Sequence, residues 1–229
     1  MTKKQRYFST GECLLWSVST LLILLSFCLF DRSNYSTLIA SLIGATSLIF
    51  CAKGNPIGPA LMIVFSGVYG VISFRCAYYG EMLTYVGMTA PMSVLSLVSW
   101  LKNPAKNAGR TTVKVHHVSR KEWLFAVVLT AGVTGVFYFI LKAFDTANLL
   151  PSTISVATSF FAAYLSFRRS PYFALAYAAN DVVLIVLWIL AALQDVSYVS
   201  VIICFATFLV NDVYGFMSWL QMEKGQNAA

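Results

Sequence analysis

The chain has 229 residues, of which 59% are hydrophobic and only 11% charged. A soluble domain carries roughly a quarter charged residues, so this composition, with a mean hydropathy of +0.74, excludes an ordinary water-soluble fold. The net charge of +7 does not point to nucleic acid, because the basic residues lie between apolar runs rather than as a patch on a polar surface.

A spanning helix needs about 20 mostly apolar residues. The first such run, 11–30, follows the basic start "MTKKQRYF". It is long enough to span and lacks a small-residue cleavage site, so a retained first helix is expected rather than a signal peptide. Runs two to four cover 35–52, 57–76 and 81–101. Pro91, near the middle of the fourth, removes a backbone hydrogen bond and predicts a bend. Thr89, Ser93 and Ser96 beside it either satisfy the freed carbonyls or line a path. The polar stretch 102–122 carries six basic residues and the adjacent pair His116 and His117. No further ligand is spaced to complete a metal site there, and a solvated link touching anionic headgroups is expected. Four more runs follow: 123–143, 149–167, 171–193 and 197–220. Continuous runs of this length exclude barrel strands, and helices satisfy every backbone polar group without water. The expected fold is an all-α integral membrane protein of about eight transmembrane helices.

An even number of spans puts both termini on one side. That side collects thirteen of the sixteen basic residues: Lys3, Lys4, Arg6, Lys53, Lys102, Lys106, Arg110, Lys114, Arg120, Lys121, Arg168, Arg169 and Lys224. Arg32, Arg75 and Lys142 fall on the other. The positive-inside rule then makes both termini cytoplasmic. The five cysteines (Cys13, Cys28, Cys51, Cys76 and Cys204) show no CxxC or metal-ligand spacing and are expected to act as small hydrophobes. Trp16, Trp100 and Trp123 are expected in interfacial belts. Arg75 and Glu81 flank an outer turn and are expected either to pair or to gate it.

An internal repeat is visible. "STLIASLIGATSLIFCAKGNPIGPALMIVF" aligns with "STISVATSFFAAYLSFRRSPYFALAYAAND", each passing through a helix, a basic link and a proline, Pro56 or Pro171, that opens the next helix. "VSWLKN" and "MSWLQM" close the third helix of each unit. The expected organisation is an N-terminal segment with an extra helix (1–34), a first three-helix repeat (35–101), a basic loop and linker helix (102–148), a second repeat (149–221) and a tail (222–229). Each unit has an odd number of spans and one further span joins them. They are therefore parallel repeats about an axis along the membrane normal, a transporter arrangement with its site at the repeat interface.

"NDVVLIVLW" (from Asn180) and "NDVYGFMSW" (from Asn211) place carboxylates inside apolar runs. A charge at mid-membrane costs about 2.5–3.5 kcal/mol on insertion scales, so such residues usually face the bundle interior or a wet cavity. Tyr177, Asn180, Asp181, Leu184 and Trp188 share one helical face at i+3 and i+4 spacing; Asn211, Asp212, Gly215 and Trp219 share another. Amides, acids and aromatic planes together suit a ligand with hydroxyls and a flat, cationic ring. Tyr177, Asn180, Asp181, Trp188, Asn211, Asp212, Tyr214 and Thr89 are the candidate substrate-binding residues. The alternative for the Asn and Asp residues is interhelical hydrogen bonding. Asp181 and Asp212 are also the candidate proton or cation sites. The equivalent stretch of the first unit, near Phe65 and Ser66, lacks the charge. A membrane-embedded enzyme on a lipid-linked substrate would need a nucleophile or metal cluster, and no HExxH or GxSxG is present.

"RRSPYFALAYAANDVVLIVLW", "FLVNDVYGFMSWL" and "SWLKNP" resemble the PnuC family of nicotinamide riboside transporters over roughly residues 35–221. The resemblance implies a SWEET-like architecture, no cofactor, and facilitated diffusion of nicotinamide riboside through a bacterial inner membrane. It further implies a homo-oligomer, often a trimer, and onward consumption by a cytoplasmic riboside kinase. Asn180 and Asn211 match the family's polar binding positions, with Trp188 and Tyr177 as stacking candidates. Related transporters carry thiamine or riboflavin.

Overall fold

The computed structural model describes residues 7–75, 79–105, 112–146 and 148–228. Cys76 and five of the basic residues used for sidedness, Lys3, Lys4, Arg6, Lys106 and Arg110, lie outside the described residues. Eight helices among those described are long and apolar enough to cross a membrane. They are α1 (Thr10–Phe30), α2 (Tyr35–Ala52), α3 (Ile57–Arg75), α4 (Tyr79–Lys102), α5 (Arg120–Ala143), α6 (Leu149–Phe167), α7 (Tyr172–Ala192) and α8 (Val199–Asn227), the last entered through a 3₁₀ turn at Val196–Tyr198. No strand occurs among the described residues beyond one isolated bridge, Pro104 to Val113.

Two of these helices start where their sequence says they should. Ser9 before α1 and Ser119 before α5 each accept a hydrogen bond from the backbone N–H three residues on, and Glu12 and Glu122 in turn accept one from the cap residue's own N–H. Each box satisfies two donors that a helix start leaves open. In α4 the bend expected at Pro91 takes the form of a π-helical turn at Tyr85–Thr89, just ahead of the α-helical segment Ala90–Lys102. Thr89 donates its hydroxyl to the Thr84 carbonyl at 3.2 Å. π turns inside α-helices are frequent at functional sites.

The helices alternate in direction, so the links α2–α3, α4–α5 and α6–α7 gather at one end, the basic end. There the repeat seen in the sequence recurs as geometry. Ser99 and Trp100, near the end of α4, donate to the Phe167 and Ser166 carbonyls at the end of α6, at 2.8 and 2.9 Å. Ser218 and Trp219 of α8 donate to the Ala52 and Cys51 carbonyls at the end of α2, both at 2.8 Å. Helix ends leave carbonyls unsatisfied, and each Ser-Trp pair supplies the missing donors across the bundle. The links that follow match as well: Gly54 and Arg169 both take positive φ, 62° and 59°. Trp100 and Trp219 are fully buried with their rings 5.3 Å apart. The interfacial position expected for Trp100 is therefore wrong: a carbonyl inside the bundle, not the headgroup layer, takes its N–H.

The basic link after α4 is not simply solvated. Val113 and Val115 are buried; Val113 N–H donates to Gly54 O and His116 N–H to Arg169 O, both at 3.0 Å. α8 runs on as helix to Asn227, so that the Gln226 side chain bonds both Val115 N–H and Val113 O. Arg168, His116 and Glu122 form an ionic cluster at the same end.

Three buried clusters organise the interior. One, rich in Phe and Tyr, joins α1, α2, α3 and α8; one surrounds Trp100 and Trp219 at the basic end; a smaller one joins α4, α5 and α6. Between them lies a cavity.

Candidate functional site

The cavity offers about 120 Å³ to the centres of water-sized molecules. Every helix except α1 contributes to its wall. Asp181 of α7 and Asp212 of α8 sit at mid-helix, and the lining extends to Glu81 and Ser152 in the first turns of α4 and α6, at the end opposite the basic links. A smaller cavity of about 20 Å³, lined by Cys51, Ser93, Ser96, Ser166 and Tyr177, lies toward the basic end. Tyr177 borders both, and the Ser-Trp contacts close the bundle beyond.

Six of the eight residues singled out from sequence line the main cavity: Thr89, Tyr177, Asn180, Asp181, Trp188 and Asp212. Asn180 is 6% exposed and Asp181 4%. The Asn180 side-chain carbonyl accepts from Thr158 Oγ1 at 2.7 Å and Ser155 Oγ at 3.2 Å. Oδ2 of Asp181 and Nε1 of Trp188 are buried with no hydrogen-bond partner. An acceptor and a donor left open on one wall are what a polar ligand would complete. The Trp188 ring is braced by Tyr198 at 5.2 Å.

Asn211 and Tyr214 do not reach this cavity. Asn211 Nδ2 donates to Ser19 Oγ of α1 at 2.8 Å and to Thr207 O at 2.7 Å. Tyr214 donates to Glu12 of α1 at 3.0 Å, and Glu12 also pairs with Lys53 at 3.2 Å. The reason is helical phase. Neighbouring residues on a helix point about 100° apart, so Asp212 turned to the cavity carries Asn211 round to α1. Trp219, grouped with them in the sequence, belongs to the basic-end cluster. The pairing considered for Arg75 and Glu81 does not occur: Arg75 is exposed and Glu81 lines the cavity, with no ion pair between them among the described residues.

Sequence reasoning missed the α6 wall. Ser152, Ser155 and Ser159 line the cavity, and their i, i+3, i+7 spacing was the available signal. It also missed Gly44 of α2. A Cβ there would lie 2.5 Å from the Phe208 ring, so glycine is what lets that ring close the wall.

Electrostatically the wall is one-sided. It contains three carboxyl groups, on Glu81, Asp181 and Asp212, and no Lys, Arg or His among the described residues.

Residues 34–221 match a family model described as nicotinamide mononucleotide transporter. The chain belongs to that family. Among curated relatives of this transporter family, the nicotinamide riboside transporter PnuC of Neisseria mucosa is 22% identical over 200 residues, covering 85% of this chain and 75% of that protein. The protein of the same description from Haemophilus influenzae is 19% identical over 194 residues, covering 85% and 83%. A solved structure described as the crystal structure of the Vitamin B3 transporter PnuC superposes with a TM-score of 0.81 at 19% identity. It covers 96% of this chain and 94% of that one. That likeness establishes the eight-helix fold and includes α1, which the family model leaves out.

Proposed function

We propose that the chain carries nicotinamide riboside across a bacterial inner membrane by facilitated diffusion. The observation that carries this reading is the cavity wall, which has three acids and no base among the described residues. Nicotinamide riboside is a flat pyridinium cation on a ribose. A buried carboxylate favours such a charge strongly where water is scarce. The phosphate of a mononucleotide would meet the same acids with no cation to receive it. Charge thus favours the riboside named for the relatives over the mononucleotide in the family's description.

In this reading Asp181 and Asp212 face the ring, Trp188 and Tyr177 stack on it, and Asn180 and Thr89 bond the ribose. Asn211 and Tyr214 belong instead to the contact with α1. The units α2–α4 and α6–α8 act as parallel repeats that rock about an axis along the membrane normal. The basic end faces the cytoplasm, as do both termini. A homo-oligomer and onward phosphorylation by a riboside kinase complete the proposal.

Calorimetric titration of purified protein with nicotinamide riboside, its mononucleotide, thiamine and riboflavin tests the substrate. Binding of the riboside and not the mononucleotide is expected. Thiamine, also a flat cation, is the competitor that the acid wall admits; tighter binding of thiamine, or equal binding of the mononucleotide, overturns the assignment. Uptake into vesicles tests facilitated diffusion. Accumulation above the outside concentration only when a proton or sodium gradient is imposed would defeat it.

A further inference from the structure

α4 carries a line of hydroxyls through the basic half of the bundle. Thr89 lines the main cavity, Ser93 and Ser96 line the smaller one, and Ser99 donates in the seal beyond it. Spacings of three and four keep these residues on one helical face. Leu48, Met62 and Tyr177 border both cavities and form the partition between them. Ser93, Ser96 and Ser166 are buried around the smaller one. Thr89 and Ser99 donate their hydroxyls to backbone carbonyls. Among the described residues the hydroxyls of Ser93, Ser96 and Ser166 make no hydrogen bond. A buried hydroxyl normally has a partner, and three that share one void suit a hydroxylated guest.

The equivalent face of the second repeat is shut. Counted back from the two Ser-Trp pairs, Ser93 and Ser96 of α4 correspond to Asp212 and Gly215 of α8. Gly215 borders neither cavity, and a Cβ there would lie 3.6 Å from Ala174 Cβ and 3.7 Å from Ala52 Cβ, ordinary packing distances. Among the described residues, none from α8 lines the smaller cavity.

We infer that the smaller cavity is a second subsite for the ribose of the ligand, on a route to the basic end that follows α4 and not α8. The inference rests on the transport reading above and deepens it. At about 20 Å³ the chamber has room for about one water and not for a sugar. Its serines therefore meet the ribose only once the partition and the seal have opened. A contact made in passage and absent from the resting complex changes the rate of transport and not the affinity.

The test is Ser93→Ala/Ser96→Ala, with affinity read by titration and maximal uptake read in vesicles. Nicotinamide riboside is compared with its analogue lacking both ring hydroxyls of the ribose. Loss of two hydrogen bonds should slow riboside uptake at least about fivefold at unchanged affinity, and leave uptake of the analogue within about twofold of wild type. Unchanged riboside uptake overturns the inference. So does equal slowing of both compounds, which assigns the serines to packing, and so does a loss of affinity, which moves them into the resting site. The route is read separately in chains whose five native cysteines are replaced by Ser. A small hydrophilic thiol reagent should modify Ser96→Cys and stop uptake, and should spare Gly215→Cys. Equal modification of Gly215→Cys, or none of Ser96→Cys, overturns the α4 route. A wild type that neither binds nor carries the riboside defeats the transport reading itself, a result distinct from all of these.

Discussion

Removing the two serine hydroxyls at the basic end, in Ser99→Ala/Ser218→Ala, should loosen the seal at that end without touching the main cavity. Each hydroxyl donates to a carbonyl at the end of a helix in the other repeat, at 2.8 Å. A typical intramolecular hydrogen bond contributes about 0.5–1.5 kcal/mol net. Two such bonds therefore favour the closed end by roughly 1–3 kcal/mol, which is about a 5- to 150-fold change in the equilibrium between closed and open. Ser99 also accepts from Arg169 at 2.6 Å, so the α4 side should dominate. The structure supplies its own reporter. Cys51 is buried, its carbonyl receives the Trp219 N–H, and it lines the small cavity just inside the seal. With Cys13, Cys28, Cys76 and Cys204 replaced by Ser, the rate at which a maleimide modifies Cys51 follows the open fraction. The double alanine variant should label faster by the factor above, and addition of ligand should not be needed to see it. An unchanged rate in a folded variant would mean that the Ser bonds do not hold the end closed.

Three further outcomes follow from the cavity wall. Asn180→Ala should weaken riboside binding by about 1–3 kcal/mol, the cost of leaving a ligand group unpaired in a dry site, as read by calorimetry. Asn211→Ala should leave that affinity unchanged while lowering thermal stability by about 0.6–1.7 kcal/mol, the range for interhelical hydrogen bonds in membranes; a loss of affinity instead would return Asn211 to the binding site. Gly44→Ala puts a Cβ 2.5 Å from the Phe208 ring, and the displaced ring should cost about 1–3 kcal/mol, seen as a lower melting temperature together with weaker binding.

The eight spans were legible because hydropathy reports the solvent of a helix directly. Most boundaries fell within a few residues, and α8 ran past the expected 220 because Gln226 finds partners on the basic link. The cavity acids were legible for the same energetic reason: a carboxyl in an apolar run must face something polar. What the sequence could not supply was phase. Asn211 and Asp212 adjoin in the chain, yet one clasps α1 and the other lines the cavity, and only the position of α1 decides between them. Trp100 was lost to the same cause. Tryptophan near a span end is usually interfacial, and the Ser166 carbonyl that claims this one is 66 residues away.

The repeats divide the labour unequally, and that division makes a last prediction. The contacts closing the basic end are duplicated, one Ser-Trp pair from each repeat. The Asn and Asp side chains that line the cavity are not. Where the second repeat has Asn180 and Asp181, the first has Phe65 and Ser66, and Ser66 donates to Met62 O within its own helix. Phe65 lines the same cavity, with the Tyr85 ring 6.2 Å away and Phe208 6.4 Å away. A flat cation in the cavity would thus meet aromatic rings as well as the carboxyl groups of the wall. Attraction between a cation and an aromatic face is about 0.5–1 kcal/mol when exposed and about 2 when desolvated. Phe65→Leu keeps an apolar side chain but removes the ring. It should weaken binding of nicotinamide riboside by about 0.5–2 kcal/mol and leave its uncharged dihydro form nearly unaffected, measured by titration. Equal losses for both forms would reduce Phe65 to a space-filler and leave the cation to the acids alone.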